Sequence, residues 1–160
     1  MVDVQTVSIA IASASVVAGV VYYIFQIRHQ GKTRQMDMIM RLYSYYCSEE
    51  FSRASGRYLA TEFKDLGDFQ EKYGIVGENP VTTAYYIVST FFEGVGALLK
   101  KKLADPELLY DLFMVKAYWK KVEPIIEDLR QYFEEPKLYE NFEYLYNEMK
   151  KMEQKLQSKA

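Results

Sequence analysis

Between Asp3 and Arg28 the chain runs for 24 residues without a charged side chain, VQTVSIAIASASVVAGVVYYIFQI. As an α-helix this stretch would be about 36 Å long, whereas the hydrocarbon core of a bilayer is about 30 Å thick. Water-soluble domains rarely contain a helix that is apolar on every side. We therefore predict an uncleaved transmembrane helix over residues 4–27, preceded by a short external N-terminus of residues 1–3.

The charges next to this segment predict its orientation. Only the acidic Asp3 precedes it, and every Lys and Arg of the chain follows it, beginning with the cluster Arg28, Lys32 and Arg34. Basic residues are retained on the cytoplasmic side of a membrane. We expect a single-pass protein of the inner (plasma) membrane, with its N-terminus outside and its C-terminal domain in the cytoplasm. The basic cluster would lie at the membrane surface, where it either sets the topology or also contacts anionic headgroups.

Length and composition limit what the rest of the chain can be. A chain of 160 residues has room for one span and one small domain. The net charge is only −2, and dedicated nucleic-acid binders usually carry a basic face, so no nucleic-acid partner is expected. The single cysteine, Cys47, cannot form an internal disulfide, and no paired Cys/His set suggests a zinc site. We predict no metal and no cofactor.

Several sequence signals for the start of a helix follow the predicted transmembrane segment. Ser48 followed by two glutamates, and the pairs Asn79-Pro80, Asp105-Pro106 and Glu135-Pro136, each indicate the beginning of a helix. With the apolar spacing, they predict a juxtamembrane helical extension over 28–47 and helices over about 49–64, 68–73 and 80–102. Further helices follow from 106, with an interruption at Pro124, and from 136. No strand-like alternation is present. The expected fold is all-α, a transmembrane helix followed by a cytoplasmic helical bundle over 48–160.

The last predicted helix carries apolar residues in steps of four and three, as in a short heptad seam. Such a seam packs either within the protein's own bundle or against a partner helix or a second copy of the chain. These candidate interaction residues are Leu138, Phe142, Leu145, Met149, Met152 and Leu156.

The block FFEGVGALLKKKLADPELLYDLFMVKAYWKKVEPIIEDLR resembles a prokaryotic family known as domain of unknown function 4760. The matching features are Phe92-Glu93, Gly96, Leu99-Lys100, Asp105, Leu109, Phe113, Tyr118-Trp119, Pro124 and Arg130. The resemblance covers roughly residues 48–145. It implies a membrane-anchored helical domain and no particular activity.

Glu93 is the most unusual residue in that block, because it follows two phenylalanines on a strongly apolar helix. A carboxylate in such surroundings needs a compensating partner. We expect a structural clamp between Glu93 and an arginine, with Arg53, Arg57 and Arg130 as candidates. Trp119, the only tryptophan, is expected in the same clamp region and in the core. The alternative is a ligand pocket around Glu93, Trp119 and Arg130.

No phosphate-binding loop, HExxH or GxSxG motif is present, so an enzyme is not expected. The sequence favours a membrane-anchored, non-enzymatic interaction or scaffold module whose partners are the lipid bilayer and a partner helix or second copy. The alternative function is a small-molecule or lipid sensor that uses the Glu93 pocket.

Overall fold

A computed structural model describes residues 3–77 and 79–158. This part of the chain contains α-helices and one short 3₁₀ turn, Glu123–Ile125, and no strand, which confirms the all-α prediction. The helices are α1 Val4–Tyr46, α2 Glu49–Ala60, α3 Leu66–Tyr73, α4 Pro80–Lys100, α5 Pro106–Leu112, α6 Val115–Val122, α7 Ile126–Tyr132 and α8 Glu140–Gln157.

The chain divides into two compact units, residues 1–41 and residues 42–160. The first unit consists of most of α1, a helix that is long and apolar enough to cross a membrane. Residues 28–46 continue the same helix. The predicted external N-terminus lies largely outside the described residues, and Asp3 directly precedes the helix.

Three of the predicted helix starts in the second unit are confirmed by their caps. The Ser48 hydroxyl accepts from the Phe51 N–H, and the Asn79 side chain accepts from the Val81 N–H. Asp105 accepts from the first backbone amides of α5 in the same way. Each cap satisfies an amide that has no partner within its own helix.

Two predictions about helix boundaries are wrong. The helix that begins at Pro106 ends at Leu112, because Phe113 adopts an extended backbone and its ring packs against Phe91 and Phe92. The last helix begins at Glu140 and not after Glu135, since Tyr139 has a left-handed backbone with φ of 56°. In both places packing against other helices overrides the local sequence signal.

Helix α4 lies at the centre of the second unit and packs against both α2 and α8. Its Phe92 is fully buried, and its ring contacts the rings of Phe51 from α2, Tyr118 from α6 and Phe142 from α8. Burying one large aromatic side chain stabilises a fold by about 1.5–3 kcal/mol. The many aromatic side chains therefore pack together in the core. Helix α4 contacts α2 on one face and α8 on another.

Candidate functional site

Four residues of α4 lie on one side of the helix in steps of four, four and three: Tyr85, Ser89, Glu93 and Gly96. A helix makes one turn every 3.6 residues, so these positions form a single stripe about 16 Å long. The two C-terminal positions contact the start of α8. The two N-terminal positions line a cavity.

The Glu93 carboxylate caps α8 from a neighbouring helix. It accepts hydrogen bonds from the backbone N–H groups of Asn141 at 3.0 Å and Phe142 at 2.8 Å, and from the Asn141 side-chain amide at 2.7 Å. The residue in the cap position of α8, Tyr139, provides no side-chain cap of its own. Glu93 thus places a negative charge at the positive end of the α8 dipole and satisfies two of its free amides.

Gly96 allows α8 to approach α4 at backbone distance. A Cβ atom built at this position would lie 1.9 Å from the Asn141 carbonyl oxygen. Glu93 and Gly96 therefore act on the same residue of α8, one through hydrogen bonds and the other through the absence of a side chain. We refer to Glu93, Gly96, Asn141 and Phe142 as the α4–α8 joint.

The prediction that Glu93 pairs with an arginine is wrong. Arg130 donates to the Leu138 carbonyl and pairs with Glu143 at 2.8 Å and Glu127 at 2.6 Å. Arg57 is exposed on α2, and the ion pairs of the described residues include none between Glu93 and an arginine. The carboxylate of Glu93 is compensated by backbone amides at the start of α8. Such a partner cannot be identified from side-chain types.

The Trp119 side chain lies in the core, where its ring packs edge-on against Phe142 at 5.1 Å and stacks on Tyr146 at 5.9 Å. Only 2% of its surface is exposed. The described cavities include none that Glu93, Trp119 and Arg130 line together. The pocket that the sequence suggested around these three residues is therefore absent from the cavities described.

The candidate interaction seam lies mainly inside the bundle. Phe142, Leu145 and Met149 are buried, whereas Leu138 and Met152 are half-buried. Leu156 is 47% exposed at the end of α8. Of the two alternatives for this seam, its central part packs within the protein's own fold.

The basic cluster Arg28, Lys32 and Arg34 lies in the first unit, on the part of α1 that follows the apolar segment. All three side chains are exposed. Their placement is compatible with contact with a membrane surface, which remains a prediction.

A cavity of about 460 Å³ lies beside the N-terminal half of α4. Its walls come from α3, the 75–77 loop, α4, the 3₁₀ turn, α7 and the segment before α8; the apolar wall residues include Phe69, Ile75, Ile125, Leu129 and Leu138. None of the described residues that line it has a charged side chain. Binding sites for small molecules are typically clefts of about 300–1,000 Å³ with mostly apolar walls and a few polar groups.

Two hydroxyl groups in the cavity wall have no partner among the described residues. Tyr85 and Ser89 are only 7% and 1% exposed, and neither the Tyr85 phenol nor the Ser89 Oγ makes a hydrogen bond within residues 3–77 and 79–158. A buried hydroxyl without a partner costs about 1–3 kcal/mol. Thr82, in the same wall, differs, because its hydroxyl donates to the carbonyl oxygens of Tyr73 and Gly74.

Neighbouring tyrosines do not compensate the Ser89 hydroxyl. The Tyr58 hydroxyl donates to the Tyr118 carbonyl at 2.9 Å. Burial raises the pKa of both Tyr58 and Tyr139, and the nearby Ser89 hydroxyl lowers each of these pKa values by a smaller amount. The contacts of Ser89 with Tyr58 and Tyr139 nevertheless lack hydrogen-bond geometry, so the Ser89 Oγ remains available.

The mouth of the cavity is apolar. Val76, Tyr86 and Phe133 line it and are 76%, 66% and 44% exposed. Exposed apolar side chains that surround a cavity are a common feature of binding sites. The 75–77 loop supplies Val76 and contains Gly77, whose φ of 136° favours glycine.

The sequence analysis selected neither Tyr85 nor Ser89 as a candidate site residue. The available signal was a small hydroxyl residue on a mostly apolar helix, four residues from a tyrosine. That signal is weak, because a serine in a helix commonly donates to the carbonyl four residues earlier. Only the structure shows that this hydroxyl has no such partner.

The fold and the site define a class: an all-α protein with an N-terminal helix that could span a membrane, and a helical bundle that contains an apolar cavity. The chain belongs to the family described as domain of unknown function (DUF4760), whose model matches residues 11–149. No curated protein and no solved structure matches it.

Proposed function

We propose that this protein is a membrane-anchored, non-enzymatic sensor whose helical bundle binds a small molecule at the cytoplasmic face of the membrane. The observation that carries the proposal is the cavity beside α4, with two buried hydroxyls that lack partners in the described part of the chain. This site replaces the Glu93 pocket suggested by the sequence. Catalysis is not part of the proposal, since the chain contains no recognised catalytic motif.

Membrane anchoring rests on the apolar part of α1 and on the basic residues Arg28, Lys32 and Arg34 that follow it. The charge asymmetry supports an external N-terminus and a cytoplasmic bundle at the inner membrane. A protease-protection assay on intact spheroplasts tests this orientation. A C-terminal tag protected from external protease supports it, whereas a tag cleaved in intact spheroplasts contradicts it.

Ligand binding is tested by extraction of small molecules from the full-length protein after purification from membranes. Ser89→Leu would fill part of the cavity, and Gly94→Ala is the control, because a Cβ at Gly94 has no atom within 4 Å. We expect mass spectrometry to detect a compound enriched with the wild type and Gly94→Ala and depleted with Ser89→Leu. Equal recovery from all three proteins would contradict the proposal.

A second candidate is the interaction or scaffold module that the sequence favours, with a partner helix or a second copy of the chain. The observation in its favour is the exposed end of α8, where Leu156 continues the apolar seam beyond its buried part. In-cell crosslinking compares the wild type with Leu156→Glu. Loss of a specific crosslinked species in the variant would support this function, and an unchanged pattern would count against it.

A further inference from the structure

The walls of the cavity also indicate the chemistry of the ligand, an inference that rests on the proposed function. We infer that the cavity takes a neutral, mainly apolar molecule with one hydrogen-bonding group, such as a hydroxyl or carbonyl, that pairs with Ser89 and Tyr85. Three features of the second unit lead to this class of ligand: the lack of charge among the described wall residues, the engagement of Glu93 and Arg130 with other protein groups, and the two hydroxyls themselves.

The first feature is the absence of charge among the described wall residues. A charged ligand would lose its hydration on entry and gain no ionic partner there. Such a transfer costs several kcal/mol or more per ion. A neutral molecule avoids this cost and gains from contact with the aliphatic and aromatic walls.

The second feature is that two charged residues on helices around the cavity, Glu93 and Arg130, already have partners. On α4, Glu93 accepts three hydrogen bonds from Asn141 and Phe142. On α7, Arg130 is held by Glu127, Glu143 and the Leu138 carbonyl. A ligand carboxylate or ammonium could use either group only by breaking these contacts.

The positive end of α8 is engaged in the same way. Glu93 accepts from the amides of Asn141 and Phe142, and the Glu140 and Glu143 amides donate to backbone carbonyls. Helix starts often bind anions through free amides. Here the first four amides are all satisfied, so α8 offers no such site to an anionic ligand.

The third feature is the pair of hydroxyls. Tyr85 and Ser89 are one helical turn apart on the same stripe, and each can donate or accept a hydrogen bond. A ligand oxygen would satisfy groups that have no protein partner. The polar part of the ligand is therefore placed against α4, and its apolar part extends toward the mouth at Tyr86 and Phe133.

The test uses the full-length protein in phosphatidylcholine nanodiscs and three probes with one skeleton: 4-phenylbutan-1-ol, 4-phenylbutanoate and 4-phenylbutylamine. Binding is measured by saturation-transfer NMR, and nanodiscs with the Ser89→Leu variant correct for partition into lipid. We expect the alcohol to bind at least tenfold more tightly than either charged probe at pH 7. Equal affinities for the three probes would overturn the inference while leaving a ligand-binding cavity in place.

Substitutions in the wall separate hydrogen bonding from general apolar affinity. Ser89→Ala and Tyr85→Phe should each weaken binding of the alcohol by about 2- to 10-fold, the range expected for one lost hydrogen bond. The matched control Gly94→Ala should leave the affinity unchanged. Unchanged binding in both wall variants would refute the role of the hydroxyls even if Ser89→Leu fails to fold.

A second arm distinguishes a membrane source from an aqueous one. Dodecan-1-ol is incorporated into the nanodisc lipid, where it competes with the soluble alcohol for the cavity. Displacement of 4-phenylbutan-1-ol indicates that the site accepts a lipid-like ligand, and no displacement indicates a water-soluble one. If none of the probes binds and no compound is extracted from the purified protein, both the inference and the proposed function fail.

Discussion

The two halves of one stripe on α4 differ in how completely they are satisfied. At the C-terminal half, Glu93 and Gly96 meet α8 at backbone distance, and each oxygen of the Glu93 carboxylate accepts at least one hydrogen bond. At the N-terminal half, Tyr85 and Ser89 face a cavity with unpartnered hydroxyls. The C-terminal half of the stripe therefore holds α4 and α8 together. The N-terminal half leaves two hydroxyl groups that a ligand could bind.

The largest expected effect is at Gly96. Gly96→Ala should destabilise the bundle by about 3 kcal/mol or more, because the added Cβ overlaps the Asn141 backbone, which cannot rotate away as a side chain could. Thermal unfolding followed by Trp119 fluorescence measures this change. Gly94→Ala, two residues earlier and exposed, should instead stabilise by about 0.5–1 kcal/mol. Similar effects of both substitutions would show that the α4–α8 joint is not tight.

Removal of the cap should have the next largest effect. Glu93→Ala leaves the Asn141 and Phe142 amides without their acceptor and should cost about 2 kcal/mol. Glu93→Gln keeps one acceptor oxygen and should cost about half as much. The control is Glu140→Gln, which loses a surface pair with Lys100 and an exposed charge in the first turn of α8 and should change the unfolding free energy by less than about 1 kcal/mol. A Glu93→Ala protein as stable as this control would contradict the cap.

Alkaline pH should act on the cavity half of the stripe. Burial raises the pKa of Tyr85 above the usual tyrosine value of 10.0. Because the unfolded chain releases this proton first, the stabilising effect is complete below pH 10 and decreases as the pH rises above it. Each such tyrosine adds a slope of up to about 1.4 kcal/mol per pH unit. Tyr85→Phe should therefore make unfolding less dependent on pH between 10 and 12, and an unchanged slope would contradict this assignment.

The smallest expected effect is on the ligand-free protein with Ser89→Ala. Since the Ser89 hydroxyl is buried without a partner, its removal should leave the free energy of unfolding unchanged or raise it by up to about 1 kcal/mol. Thermal unfolding by Trp119 fluorescence tests this as well. The comparison is with Tyr58→Phe, which removes a hydrogen bond to the Tyr118 carbonyl and should destabilise by about 1–2 kcal/mol. A loss at Ser89 equal to that at Tyr58 would mean that Ser89 has a structural partner.

Much of the fold could be predicted because its signals are local. The caps at Ser48, Asn79 and Asp105 act within a few residues of the chain, and the charge-free stretch of α1 is visible in the sequence alone. The start of α8 could not be predicted in this way. Its cap is Glu93, which lies 48 residues away from Asn141 in sequence. The Glu135-Pro136 pair gave a local signal that the left-handed Tyr139 overrides.

The candidate site was less predictable than the fold for a related reason. Glu93 was recognisable as a carboxylate on an apolar helix that needs compensation, but residue types favour an arginine partner over backbone amides. The Ser89 hydroxyl attracts attention only when its surroundings are known, because most serines in helices have a partner in the preceding turn. Whether a buried polar side chain has a hydrogen-bond partner depends on several helices at once. The spacing of residues within one helix does not contain that information.

The most direct test of a ligand site on α4 measures two properties of Ser89→Ala in the full-length protein. We predict opposite signs: ligand-free stability equal to or greater than that of the wild type, and affinity for 4-phenylbutan-1-ol lower by about 2- to 10-fold. Such a result would assign the Ser89 hydroxyl to a ligand. A variant that is clearly less stable and binds the alcohol as tightly as the wild type would assign it to the fold and contradict the account.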